Sequence, residues 1–132
     1  MIGHHAHTDS SNLRLLDSTN SVKDLIITAH KVGYKGISIT DHEVLSAHVE
    51  ALKTTKSLKE KGEIPQDFKL TLGNEIYLLT DDEYIEARDN YQSGVTKFPH
   101  FLLLARDAEG HRQLRILSSR AWGRSFYANG ME

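Results

Sequence analysis

The sequence predicts an α/β domain of strand–helix units, with parallel strands forming a sheet or a barrel. Three observations point there. Short β-branched or apolar runs alternate with stretches of helical period. Polar side chains able to bind metal gather where those runs end, at His7, Asp41-His42 and Glu75, and in parallel α/β folds that rim is where sites are built. The chain has 132 residues, 39% of them hydrophobic, enough for one domain with a real core.

Met1–His7 is a short strand candidate. Thr8–Asn20 is a loop rich in Ser, Asn and Asp, with Leu13, Leu15 and Leu16 just before Asp17. Ser21 opens a helix, because Ser21-Val22-Lys23-Asp24 resembles a capping box with Asp in the acidic position. Val22, Leu25, Ile26 and Ala29 form its apolar face, and Gly33 stops it. Gly36–Thr40 is β-branched and reads as a buried strand ending in Asp41-His42-Glu43. A second helix covers Leu45–Glu60, with Ala47, Ala51 and Leu52 inward and Gly62 at its end. Lys69–Leu79 is a third strand, interrupted at Gly73-Asn74-Glu75. Thr80–Lys97 is strongly polar and receives no assignment beyond a loop that has room for a short helix. His100–Ala105 is a fourth strand. Asp107 caps a last helix to about Ala121, with Leu114 and Leu117 inward, and Trp122–Glu132 carries no ending signal. There is no internal repeat, linker or low-complexity tract.

Composition narrows the function. A net charge of −2 gives no strong field for nucleic acid, so any DNA contact is local or belongs to another part of a larger protein. Without cysteine there is no disulfide framework, thiolate metal site or thiol nucleophile. No apolar run approaches a membrane span and the start lacks a signal-peptide pattern, so a cytoplasmic location is expected. The phosphate-binding and dinucleotide-binding glycine motifs and the GxSxG elbow are also absent.

The remaining signal is histidine and carboxylate. In a strand, His5 and His7 share a face a few ångströms apart, a metal-ligand arrangement. The competing reading is a tag remnant or polar tail. The break at Ala6 and the Ser/Asn/Asp-rich loop that follows favour the metal. His42, Glu75 and His100 come from other strands and can converge on the same rim, where a carboxylate can bridge two ions. His100 opens its strand and can join only if that strand runs antiparallel or bends. By spacing alone Asp17 is a turn residue. Asp41 is read as orienting a neighbouring histidine or capping a helix, and Glu43 as a solvated helix-start charge. His4 is expected to point away from His5. His30, His48 and His111 lie within helices and are read as structural, the first two on surface or intermediate faces.

Four pieces then fall in order. His5-Ala6-His7-Thr8, Leu16-Asp17, Ile39-Thr40-Asp41-His42 and Gly73-Asn74-Glu75 resemble the PHP (polymerase and histidinol phosphatase) family along nearly the whole chain. The stretch from His100 to Gly110, followed by Leu114, Leu117-Ser118-Ser119 and Ala121, is similar to the bacterial DNA polymerase III α-subunit branch. Gly73-Asn74-Glu75-Ile76-Tyr77-Leu78 is similar to phage-encoded relatives. The resemblance implies a distorted (β/α)7 barrel, with about four of its βα units falling in residues 1–132. It implies up to three divalent ions, Zn or Mn with Fe and Mg as alternatives, held by His5, His7, Asp17, His42, Glu75 and His100, with Glu75 bridging. It also implies phosphoesterase or 3′→5′ exonuclease chemistry, with DNA and other replisome subunits as partners of the full-length polymerase. Family members complete the site with a later Cys or His and a late Asp-x-His pair, and the polymerases add a palm domain. None of these is found in residues 1–132. The expectation is therefore an N-terminal part of a PHP domain that does not polymerise DNA by itself and has an incomplete metal site. The rival readings are a stand-alone PHP phosphatase acting on small phosphate esters and a non-catalytic structural module.

Overall fold

The computed structural model describes residues 1–13, 16–90 and 98–128. In chain order the regular elements are α1 (Val22–Lys31), β1 (Gly36–Ile39), α2 (His48–Glu60), β2 (Lys69–Tyr77), α3 (Asp81–Asp89), β3 (His100–Leu104) and α4 (Ala108–Ala128), preceded by a short 3-10 turn at Asp9–Leu13. The class is mixed α/β. The sheet has three strands in the order β1-β2-β3.

β1 pairs with β2 in parallel, from Gly36 against Lys69 to Ile39 against Leu72. β2 then changes partner. From Gly73 against Leu104 to Tyr77 against His100 it pairs antiparallel with β3. The expected interruption at Gly73-Asn74-Glu75 is thus a continuous strand that switches ladders. Gly73 suits the switch, since a Cβ there would meet the Leu103 carbonyl oxygen at 2.6 Å. The antiparallel turn also corrects the expectation of an all-parallel sheet.

The expected first strand is only partly formed. Gly3 makes an isolated parallel bridge to Ile37. The Ser38 N–H donates to Gly3 O (2.7 Å) and the Thr40 N–H to Ala6 O (2.9 Å). Three steps of the first segment therefore span two of β1, a bulge that breaks regular pairing. Among the described residues there are three regular strands and a flanking segment, where the sequence suggests four strands.

α1 follows its sequence signals. The Asp24 N–H donates to Ser21 Oγ at 3.1 Å, and Gly33 takes φ +91° just past the helix end. Val22, Ile26 and Ala29 pack with Ile37 and Ile39 of β1, with Ala47 just before α2, with Ala51 and Leu58 along it, and with Ile64 and Phe68. α2 starts at His48 rather than Leu45, and its buried stripe is His48, Ala51, Thr55 and Leu58. Leu52, expected inward, is exposed, as is Leu117 of α4. Two positions of the α2 stripe are polar, which hydrophobic periodicity cannot register. α4 buries Leu114 as expected, and Asp107 Oδ1 caps it by accepting from the Gly110 N–H at 2.9 Å. Within Thr80–Lys97, α3 opens on a complete capping box of Thr80 and Glu83; residues 91–97 and 129–132 lie outside the described residues.

Candidate metal centre

The site lies where the first segment, the end of β1 and the second half of β2 come together. Beyond β1 the parallel ladder continues as a bridge between His42 and Glu75. The Glu75 N–H donates to Asp41 O (3.1 Å) and the Glu43 N–H to Glu75 O (2.8 Å). The antiparallel register sets Glu75 opposite Leu102 and Tyr77 opposite His100. With a period of two, Glu75, Tyr77 and His100 share one face of the ribbon. His100 thus enters the site by the antiparallel route that its position at the strand start requires.

Six side chains meet there in three overlapping groups: His5, His7 and Glu75; His7, Asp17 and His42; and His42, Glu75 and His100. Within each group the candidate ligand atoms lie within 4.8 Å of one another. Glu75 Oε2 is 2.9 Å from His5 Nε2 and 2.8 Å from His7 Nε2, while its Oε1 faces His100 Nδ1. Asp17 Oδ2 lies 3.1 Å from His7 Nδ1 and 3.0 Å from His42 Nε2. Glu75 and His42 are buried, whereas the side chains of His5 and His100 are 50% and 46% exposed. The centre therefore has a buried floor and an open mouth.

The donor set suits cations. His5 Nε2 and His7 Nε2 approach to 2.7 Å, so at most one hydrogen fits between them. His42 Nδ1 is buried and lacks a hydrogen-bond partner among the described residues; its nearest carboxylate oxygen, Glu75 Oε2, is 3.5 Å away. A buried nitrogen left without a partner is costly unless a ligand takes its lone pair. Burial lowers the His42 pKa and favours the neutral, ligating imidazole. For Glu75, burial pushes the pKa up, but hydrogen bonds with His100 and His5 and the charges of His42 and His5 outweigh it and keep the carboxylate ionised. A neutral imidazole offers one lone pair and so serves one ion, whereas a carboxylate with two oxygens can serve two. Glu75 is the group that spans two clusters with separate oxygens.

The loop after His7 explains how Asp17 arrives. Asn12 Oδ1 accepts from the Asp17 and Ser18 N–H groups (3.1 and 3.2 Å), and Ser18 Oγ donates to His7 O at 2.9 Å. The loop is folded back on the strand end, so the turn reading of Asp17 gives way. Asp41 belongs to no group. It is fully buried and accepts from the Thr8 N–H (2.6 Å), Thr8 Oγ1 (2.8 Å) and Ser11 Oγ (3.1 Å). Burial raises its pKa against the pull of these bonds. Ser11 Oγ accepts in turn from the His42 N–H at 3.1 Å and lies 3.2 Å from His7 Nδ1. Asp41 therefore holds the hydroxyl that touches both histidines.

Several supporting residues escaped sequence reasoning. Thr8, Ser11 and Asn74 are common loop and strand residues whose importance comes only from burial. Asn74 Nδ2 donates to Asp41 O and Val44 O, at 2.9 and 3.0 Å, and fixes the segment carrying His42. His48 is buried, not on a surface or intermediate face as its helix position suggests. Glu43 is likewise buried rather than solvated. His4 contacts Ser38 Oγ at 3.3 Å and joins no group.

The arrangement defines a class, and comparison with known proteins agrees. The PHP domain family model matches residues 3–132, and the chain belongs to that family. Within it, relatives of this chain include DNA polymerases. "Probable DNA polymerase YorL" of Bacillus subtilis strain 168 and the DNA-directed DNA polymerase of Bacillus phage SPbeta are each 66% identical over all 132 residues. The DNA polymerase III subunit alpha of Helicobacter pylori is 34% identical over 93% of the chain. The chain spans about a tenth of the length of these relatives: 10%, 10% and 9%. A solved structure from Bifidobacterium adolescentis, described as a metal-dependent phosphoesterase, matches 79% of this chain and 27% of its own, with a TM-score of 0.52 and 25% identity. Among the described residues no helix is long and apolar enough to cross a membrane.

Proposed function

We propose that residues 1–132 are the N-terminal PHP portion of a DNA polymerase III α-like protein, and that His5, His7, Asp17, His42, Glu75 and His100 hold divalent ions. The carrying observation is the overlap of the three groups, with Glu75 offering one oxygen to His5 and His7 and the other to His100. The ligands are nitrogen and carboxylate oxygen, which suits Zn or Mn, with Fe and Mg as alternatives. Six ligands fall short of three complete shells, so water, substrate or further protein groups complete them.

The proposed reaction class is phosphoester hydrolysis of the 3′→5′ exonuclease type. Ions in such a site lower the pKa of water and stabilise negative charge on the leaving oxygen. His5 and His100 stand at the open mouth, where a phosphate would enter. Glu75 and His42 form the buried floor, and Asp41, through Ser11, fixes the His7 ring and the His42 backbone. The fold is proposed to be part of a distorted seven-unit barrel. DNA and other replisome subunits are the proposed partners of the whole polymerase, on the strength of its relatives.

Metal analysis tests the site. Purified protein is expected to hold Zn or Mn, with most of it lost in His7→Ala and Glu75→Ala. Bound metal unchanged by both substitutions would reject the ligand assignment.

A further inference from the structure

α4 contributes none of the six candidate ligands, yet two hydrogen-bonded tethers run from it to the segments that carry them. The first starts at Arg115, whose Nη1 lies 2.9 Å from His111 Nδ1. Arginine only donates, so His111 Nδ1 accepts and its hydrogen sits on Nε2. His111 Nε2 lies 3.0 Å from His48 Nδ1, and His48 Nε2 lies 2.9 Å from Gly73 O. A carbonyl only accepts, so His48 Nε2 donates and its Nδ1 accepts. Both ends of the chain dictate the same tautomers, with both rings neutral. His48 is buried, and both its ring nitrogens are used. The tether ends at Gly73, two residues before Glu75 and at the point where β2 changes partner.

The second tether grips the residue after His42. Ser118 Oγ and Trp122 Nε1 both donate to Glu43 O, at 2.8 and 2.9 Å. Glu43 has φ +54°, a left-handed conformation that non-glycine residues avoid. A strained backbone persists where its surroundings over-determine it, and here the two α4 donors and the bond from its own N–H to Glu75 O do so.

We propose that α4 is the positioning element of the metal centre, with His111 and His48 setting Glu75 through Gly73, and Ser118 and Trp122 setting His42 through Glu43. This rests on the reading of Glu75 and His42 as ligands. These four are positioning residues, since none reaches the metal groups. Displacing Gly73 or Glu43 shifts a carboxylate or imidazole whose usefulness depends on tenths of an ångström.

Manganese and zinc affinity of the full chain, measured by titration calorimetry, tests the proposal alongside the melting temperature of the metal-free protein. His48→Leu and His111→Phe are expected to weaken affinity about tenfold or more. His48→Gln, which can keep an amide donor for Gly73 O, is expected to recover most of the loss. Variants that lower the melting temperature but bind metal as wild type does would overturn the positioning role. Should His48→Leu not fold, His111→Phe, at a less buried site, carries the test. A wild-type protein that binds none of Mn, Zn, Fe and Mg rejects the metal centre itself. Long-range nitrogen–proton NMR of metal-free protein judges the tether separately. Nε2–H is expected on both rings, and Nδ1–H on His48 overturns it.

Discussion

Asp41 shows how one residue can organise a site without entering it. Its carboxylate receives three hydrogen bonds, two from Thr8 and one from Ser11. Asp41→Asn would turn an NH2 group toward one of those donors. The expected loss is about 1–3 kcal/mol, read from urea denaturation, together with weaker metal retention. His48 gives a pH signature. Burial lowers its pKa from 6.5 to about 4 in the folded protein. Above pH 6.5 both states are neutral and the shift has no effect. As pH falls from 6.5 toward 4, only the unfolded chain takes the proton, so stability declines and then levels off. The loss approaches about 3 kcal/mol for this group. Urea midpoints at pH 7 and pH 5 should differ less in His48→Gln than in wild type. At this scale the sequence revealed much of the site but not its support. His5, His7 and His42 flank the sheet where patterning finds them, and Glu75 lies within β2, just past the point where the strand leaves the parallel ladder. Asp17 depends on Asn12 and Ser18 folding a loop back, and only family resemblance singled it out. Thr8, Ser11, Asn74 and His48 matter through burial, which a single sequence does not display.

At the scale of elements, local signals held where local chemistry decides. Ser21 caps α1, Asp107 caps α4, and the β-branched run Gly36–Ile39 is a buried strand. Ser21→Ala is expected to cost about 1 kcal/mol by thermal unfolding. Strand direction did not follow from local signals. β2 serves two ladders of opposite sense, and both pair it with segments distant in the sequence. A side chain at the switch has no room: a Cβ on Gly73 would lie 2.9 Å from Thr40 Cγ2 and 2.7 Å from Leu104 Cδ2. Gly73→Ala is expected to destabilise by about 1–3 kcal/mol. It should also lower metal affinity, because the strain falls between the Thr40-Asp41-His42 and Glu75 segments. Unchanged affinity in a folded Gly73→Ala protein would separate the switch from the centre.

For the molecule as a whole, the fold class and family were legible, while strand count and direction were not. The packing of α1 against β1 follows from apolar periodicity, whereas the partly polar inward stripe of α2 does not. The site depends on contacts between distant parts of the chain. A ligand that binds only the folded state stabilises it, and an ion at a hundred times its dissociation constant adds about 2.7 kcal/mol. The melting temperature is therefore expected to rise with Mn or Zn and to fall back with chelator. The rise should shrink between pH 7.5 and pH 5.5, because protons compete for the imidazoles. Calorimetric scans at the two pH values check this, and an equal rise at both would point to ligands other than histidine.

The bulge between Gly3 and Ala6 leaves the first segment with few backbone bonds to β1, yet that segment delivers His5 and His7. An ion held by His5, His7 and Glu75 would act as a reversible cross-link, closing a loop from residue 5 to residue 75. For a covalent bridge, chain entropy puts the effect of a loop of roughly 70 residues at about 4.4 kcal/mol. A protein without cysteine would thereby gain a staple that a chelator can undo. The amides of Gly3–His7 should then exchange with solvent much faster once metal is removed, while those of Ile37–Ile39 change little.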